Sequence, residues 1–303
     1  MSEHDITVGM IFLISCQTRF HPPQAPIDSD PSAAWEEVIE LVSSENGVDY
    51  VLLNEHKDIL DLYISWIAEH GPREDRMSIR QGKKRLAFFI NAYNASVLYA
   101  LLEQPDLESV QDLSQGVFPS GGAGFFLGQE FKIDGEWVSL FFLEQQYILG
   151  NFQDPVIHAA LNCGSKGCPQ LRYFKEKGLD DQMEDALKAF LNSDVGSQAP
   201  ENADEPWRVS EIFFWYEKDF TEWSLSENLC EYLRPYAKGE LSYWLEGQAG
   251  QPCLLRSFPY DWSLNKTVQA PQNSDSSIKK TPLAPIQIKS LPKEIKTQKK
   301  SSQ

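Results

Sequence analysis

The chain predicts a helix-rich α+β fold, a single globular domain with a small antiparallel sheet. Apolar residues recur at helical spacing in several long stretches, which argues for amphipathic helices. An Asp-Gly pair between alternating apolar runs argues for a hairpin. Proline-rich and lysine-rich polar segments bracket the remainder. The chain therefore divides into an N-terminal signal-like segment and linker over 1–32, a globular domain over 33–265, and a disordered basic tail over 266–303. With 42% hydrophobic residues in a 303-residue chain, the material for a sizeable core is present.

The elements follow in order. Residues 21–32, HPPQAPIDSDPS, carry four prolines and read as linker. Trp35, Val38, Ile39, Leu41 and Val42 give residues 33–42 a helical stripe that stops near Gly47. A second amphipathic helix covers 58–70 and ends at Gly71-Pro72. Residues 83–104 form a longer helix, apolar nearly all round and therefore central, with Pro105 behind it. A glycine-rich loop over 116–124 leads to a strand over 125–133, the turn Asp134-Gly135, and a strand over 136–138. Ser139 caps a helix over 140–149. Residues 156–162 are short and apolar between Pro155 and Gly164, which favours a buried strand. Further helices cover 179–191 and 229–236, with an aromatic block, EIFFWYEKDF, between them. Beyond Asn265 the chain is rich in Lys, Ser, Pro and Gln and has little to bury.

Charge is unevenly placed. The net charge is -17, and from Lys266 onward the chain carries eight lysines against two acids. The body before the tail is strongly acidic, which repels nucleic acid and anionic surfaces, so no nucleic-acid partner is expected. Near the N-terminus, VGMIFLIS ends in Leu13-Ile14-Ser15-Cys16, similar to a lipoprotein cleavage box that would anchor Cys16 to lipid. Against it, the leading residues hold Glu3 and Asp5 and no Lys or Arg. The apolar stretch is too short to span a bilayer. The expectation is a cell-envelope lipoprotein touching membrane only through Cys16, with a cytoplasmic protein as the alternative. Anchoring at Cys16 leaves four cysteines, an even number where disulfides are permitted.

The densest chemistry lies in DPVIHAALNCGSKGCPQL, residues 154–171, where His158, Cys163 and Cys168 flank a Gly-Ser-Lys-Gly turn. Gly164 and Gly167 give a closed disulfide loop the backbone freedom it needs. The same turn suits a reactive thiol whose pKa is lowered by backbone N–H groups, and inert buried thiols remain a third reading. With no second Cys-x-x-Cys or paired histidines, a metal is not expected, and no cofactor motif is present. If 156–162 is a strand, His158 faces away from Cys163 unless a bend at Asn162 or contact through Cys168 joins them. Asn91 and Asn94 share one face of the apolar helix and either line a pocket or satisfy buried backbone. Glu144, among apolar neighbours, calls for a partner such as His158 or Arg172. Asp261 and Trp262 read as a packed return to the core.

Five blocks in order carry a family resemblance: LAFFINAYNASVL, FKIDGEWVSLFFLEQQYIL, DPVIHAALNCGSKGCPQL, SEIFFWYEKDF and FPYDWSLN. Together they resemble the domain of unknown function numbered 547 over about 48–265. The resemblance implies export for many members and names no activity. Members commonly read SL-x-x-IEH in the helix after the hairpin, where this chain has Glu144-Gln145. The central helix followed by VIHAAL is also similar in outline to papain- and transglutaminase-like hydrolases, with asparagine where their cysteine stands.

Two functions follow. One is a hydrolase or transferase acting on amide or thioester-like bonds, with Cys163 as nucleophile, His158 as base, Asn91 or Asn94 as orienting group, and Glu144 in the same site. The other is a noncatalytic module that binds a peptide or small-molecule ligand in the same cleft.

Overall fold

Helix α4, Ile79–Leu102, is the axis of the fold. From Arg85 to Leu101 nearly every side chain is buried, so the helix is covered on all sides as an all-round apolar sequence requires. It is long and apolar enough to cross a membrane, yet it serves here as a core helix. The computed structural model describes residues 18–24, 29–72, 79–113, 122–202 and 205–267. The lipobox-like segment with Cys16, most of the glycine-rich loop and the lysine-rich tail lie outside the described residues. The chain divides into two units, Met1–Thr267 and Val268–Gln303, and every element below belongs to the first.

Helix α1 (Ser32–Val42) and helix α2 (Tyr50–Glu55) pack on α3 (Lys57–Ile67), which packs on α4. Trp35 of α1 stacks on Tyr63 of α3 with centroids 5.7 Å apart. Asp49 caps α2 by accepting from the N–H groups of Val51 and Leu52. Strand β1 (Thr18–Phe20) pairs in parallel with β4 (Gln129–Ile133), which pairs antiparallel with β5 (Glu136–Ser139). Asp134 at φ 51° and Gly135 at φ 90° make the tight left-handed turn that the Asp-Gly pair announced. The strand begins later than the sequence suggested, because residues 123–126 form a short helix, α5 (Ala123–Phe126), instead. Among the described residues there are two further small sheets: β2 (Ser43–Ser44) with β3 (Gly47–Val48), and β6 (Ser197–Gln198), β7 (Arg208–Ser210) and β8 (Arg256–Phe258).

Ser139 caps α6 (Leu140–Phe142), which runs on as a π-helical turn, Leu143–Leu149. Residues 156–162 do not form the expected strand. Pro155–Ala159 is a 3-10 turn, capped by Asp154, whose carboxylate accepts from the Val156 N–H at 3.2 Å. An apolar run of this length carries no period that separates a strand from a tight turn, and the Asp-Pro pair decides it. Helix α7, Leu179–Leu191, lies where the apolar stripe placed it and packs on that turn. Helix α8 (Glu211–Trp215) precedes a π-helical turn, Asp219–Trp223. Helices α9 (Leu229–Leu233) and α10 (Gly239–Gly247) follow. A disulfide between Cys230 and Cys253 ties α9 to the irregular segment leading into β8. Secondary contacts continue as far as Thr267, whose N–H donates to Val48 O at 3.0 Å.

Candidate functional site

The site loop is held by asparagines. Asn94 on α4 donates its amide to Ala160 O at 3.0 Å and accepts from the Asn162 N–H at 2.8 Å. One turn earlier, Asn91 donates to Phe174 O at 2.7 Å and accepts from the Phe174 N–H at 2.9 Å. Each carboxamide thus replaces a strand partner for an irregular backbone segment, a use of Asn that satisfies buried N–H and C=O groups at once. Asn162 continues the scaffold, donating to Pro169 O at 2.7 Å and accepting from the Gly164 N–H at 2.9 Å. Gly164 sits at φ +83°, where a β-carbon would be strained and would also meet Leu101. A β-carbon at Gly167 would lie 2.6 Å from the Tyr260 ring, so only glycine lets that ring close over the loop.

The closed loop is a disulfide between Cys163 and Cys168. In this state Cys163 has no ionisable proton and is no nucleophile. Tyr260 spans both sulfurs, its hydroxyl 3.2 Å from Cys163 Sγ and donating to Cys168 Sγ at 3.1 Å. Ser165 donates to the same tyrosine oxygen at 2.9 Å. Burial pushes the Tyr260 hydroxyl well above the usual tyrosine range, so it keeps its proton.

His158, buried on its 3-10 turn, places Nε2 2.9 Å from Asp219 Oδ2. Tyr216 lies against the imidazole, with centroids 3.9 Å apart and planes inclined by 26°. The Tyr216 hydroxyl donates to Glu144 Oε1 at 2.9 Å, and Gln145 Nε2 donates to the same oxygen at 3.2 Å. Burial raises the Glu144 pKa above the ordinary glutamate range. Tyr216 and the nearby His158, with Tyr93 and Gln145, offset part of that rise. Arg172 is not the partner of Glu144; it borders a separate cleft beside Glu40 and Asp185.

These groups meet in one cavity of about 210 Å³. Glu144, His158 and the Cys163–Cys168 bridge form its polar floor, and the rings of Trp215, Tyr216, Tyr260 and Trp262 form its walls. Trp215 stacks on Trp262 with centroids 5.4 Å apart. The sequence reading named Glu144, His158 and Cys163, and the structure brings all three together. Asn91 and Asn94 spend both ends of their amides on main chain and do not line the cavity. Gln145, where the resembled family has histidine, does line it. The reading missed Tyr216, Asp219, Trp215 and Tyr260, and took Trp262 for core packing. The signal for all of them was the two aromatic blocks, EIFFWYEKDF and FPYDW, far along the chain. Among the described residues, no three of His, Cys, Asp and Glu converge as a metal site.

Fold and site together define a helix-rich α+β domain that carries an aromatic-walled cleft over a small disulfide loop. Residues 78–191 match the model of the family described as "Protein of unknown function, DUF547". That bears out the resemblance over a segment holding α4, the hairpin, Glu144, His158 and the disulfide loop, while the walls contributed by residues 212–262 lie beyond it. No curated protein matches the chain, and no solved structure does.

Proposed function

We propose that the protein is a ligand-binding module whose cleft takes a peptide or small molecule. One observation carries this reading: the sulfur a thiol hydrolase would use is bonded to Cys168, while the rest of the cavity presents aromatic faces and a carboxyl with a raised pKa. Such walls favour a flat apolar group on the ligand, and Glu144 favours a hydrogen-bonding neighbour to it. Two disulfides in one domain support a compartment outside the reducing cytoplasm, in keeping with a cell-envelope protein anchored at Cys16. The test is a thermal-shift screen of peptides and small molecules, repeated on Trp262→Ala. A true cleft ligand at a hundred times its Kd stabilises by about 2.7 kcal/mol and loses most of that effect in the variant. A screen whose hits stabilise both proteins equally would sink the reading.

A second reading keeps one observation in its favour. His158 is held by a carboxylate, as a general base is held in acyl transfer. Hydrolysis of amide or thioester substrates that appears only after reduction of the loop would favour it.

A further inference from the structure

The two disulfides differ in their surroundings. Among the described residues, no hydrogen-bond donor lies on either sulfur of Cys230–Cys253, of which Cys230 is buried and Cys253 partly buried, and neither borders the aromatic cavity. The Cys163–Cys168 bridge instead borders the open cavity, and polar groups lie on both of its sulfurs. The Cys163 N–H points at Cys168 Sγ at 2.9 Å, and the Tyr260 hydroxyl donates to the same sulfur at 3.1 Å. Tyr260 and Ser165 reach both sulfurs, the tyrosine hydroxyl lying 3.2 Å from Cys163 Sγ and Ser165 Oγ lying 2.9 Å from Cys163 Sγ and 3.4 Å from Cys168 Sγ, so the Cys163 N–H is the donor that sets Cys168 apart. Both cysteines line the cleft, with Cys168 7% exposed and Cys163 only partly buried.

Donors of this kind gain strength when the sulfur they face becomes an anion. A neutral disulfide sulfur is a weak acceptor, and a thiolate is a strong one. The polar groups around the bridge therefore favour the reduced loop, and the Cys163 N–H, which faces Cys168 alone, favours negative charge on Cys168 and makes it the better leaving group in exchange. The more open sulfur, Cys163, is the one an incoming thiolate reaches first.

We infer that Cys163–Cys168 is an exchangeable disulfide that oxidises a dithiol, a small molecule or a peptide bearing two cysteines, entering the aromatic cleft. One substrate thiolate attacks Cys163 Sγ. A substrate–Cys163 bond forms, the Cys163–Cys168 bond breaks, and its electron pair leaves on Cys168 Sγ beneath the Cys163 N–H and the Tyr260 hydroxyl. The second substrate thiolate then attacks its own sulfur in the mixed disulfide and releases Cys163 as thiolate. The substrate loses two electrons and two protons and gains a disulfide, and the loop gains both as two thiols. A single round requires no other reactant. This exchange does not depend on the ligand-binding reading, because it is measured with no ligand present.

The experiment equilibrates the full oxidised chain with dithiothreitol buffers of graded poise, quenches with N-ethylmaleimide and maps the modified cysteines by peptide mass. The wild type is expected to reduce at Cys163–Cys168 under conditions that leave Cys230–Cys253 closed. Tyr260→Phe should lower the equilibrium constant for opening the loop about threefold to tenfold, a shift of up to about 30 mV. With glutathione disulfide as probe, Cys168→Ser should form a mixed disulfide at Cys163 at least tenfold faster than Cys163→Ser forms one at Cys168. Simultaneous reduction of both bridges in the wild type would overturn the inference without recourse to any variant. So would equal trapping rates in the two serine variants.

Discussion

Tyr216 lies on His158, ring centroid to ring centroid at 3.9 Å, and its hydroxyl donates a hydrogen bond to Glu144 Oε1 at 2.9 Å. One side chain from the segment after α8 thereby joins the 3-10 turn to the π-helical turn after α6. Tyr216→Phe keeps the stack and removes the hydrogen bond, so it should cost about 0.5–1.5 kcal/mol. Tyr216→Leu loses the stack as well and should cost about 0.5–1.5 kcal/mol more. Urea unfolding of the three proteins checks the order; equal losses for Phe and Leu would contradict the stack's contribution.

Glu144 gives a pH signature. Its folded pKa is raised, so from the ordinary glutamate pKa upward the folded state keeps a proton that the unfolded chain has released. Stability should therefore fall as pH climbs from about 4 through the raised folded value, and stay lower above it. Glu144→Gln keeps an acceptor for Tyr216 and removes that slope. Urea midpoints from pH 4 to 8 should show the wild type losing ground against the variant as pH rises. A constant difference across the series would contradict the assignment.

Asn94→Leu leaves Ala160 O and the Asn162 N–H buried without a partner, and should destabilise by about 1–3 kcal/mol or more. Asn91→Leu does the same at Phe174, on both its N–H and its carbonyl. Thermal unfolding reads both. A neutral Asn94→Leu variant would contradict the claim that these hydrogen bonds hold the loop.

Much of the frame was legible because it rests on local rules. The apolar stripe of 179–191 admits one helix, and Asp134-Gly135 admits one tight turn. The 156–162 run misled because short apolar segments carry no usable period, although Asp154-Pro155 held the cap signature of a helical turn. Glu144, His158 and Cys163 were found because ionisable or reactive groups in apolar surroundings demand an explanation. Asp219, Tyr216 and Tyr260 were not, since an aromatic block reads as core until the fold shows which rings border a cavity. The pairing of Cys230 with Cys253 was hidden for a similar reason: an even cysteine count fixes no connectivity.

The central claim is that the native cleft is floored by a closed loop and not by a free nucleophile. Purified protein, never exposed to reductant, should be treated with iodoacetamide at pH 7 and its intact mass and peptides read. The account predicts no label on Cys163 or Cys168, a linked peptide pair spanning both, and labelling of both after mild reduction of the folded protein. Rapid labelling of Cys163 without reductant, slowed by His158→Ala, would contradict it and restore the thiol nucleophile.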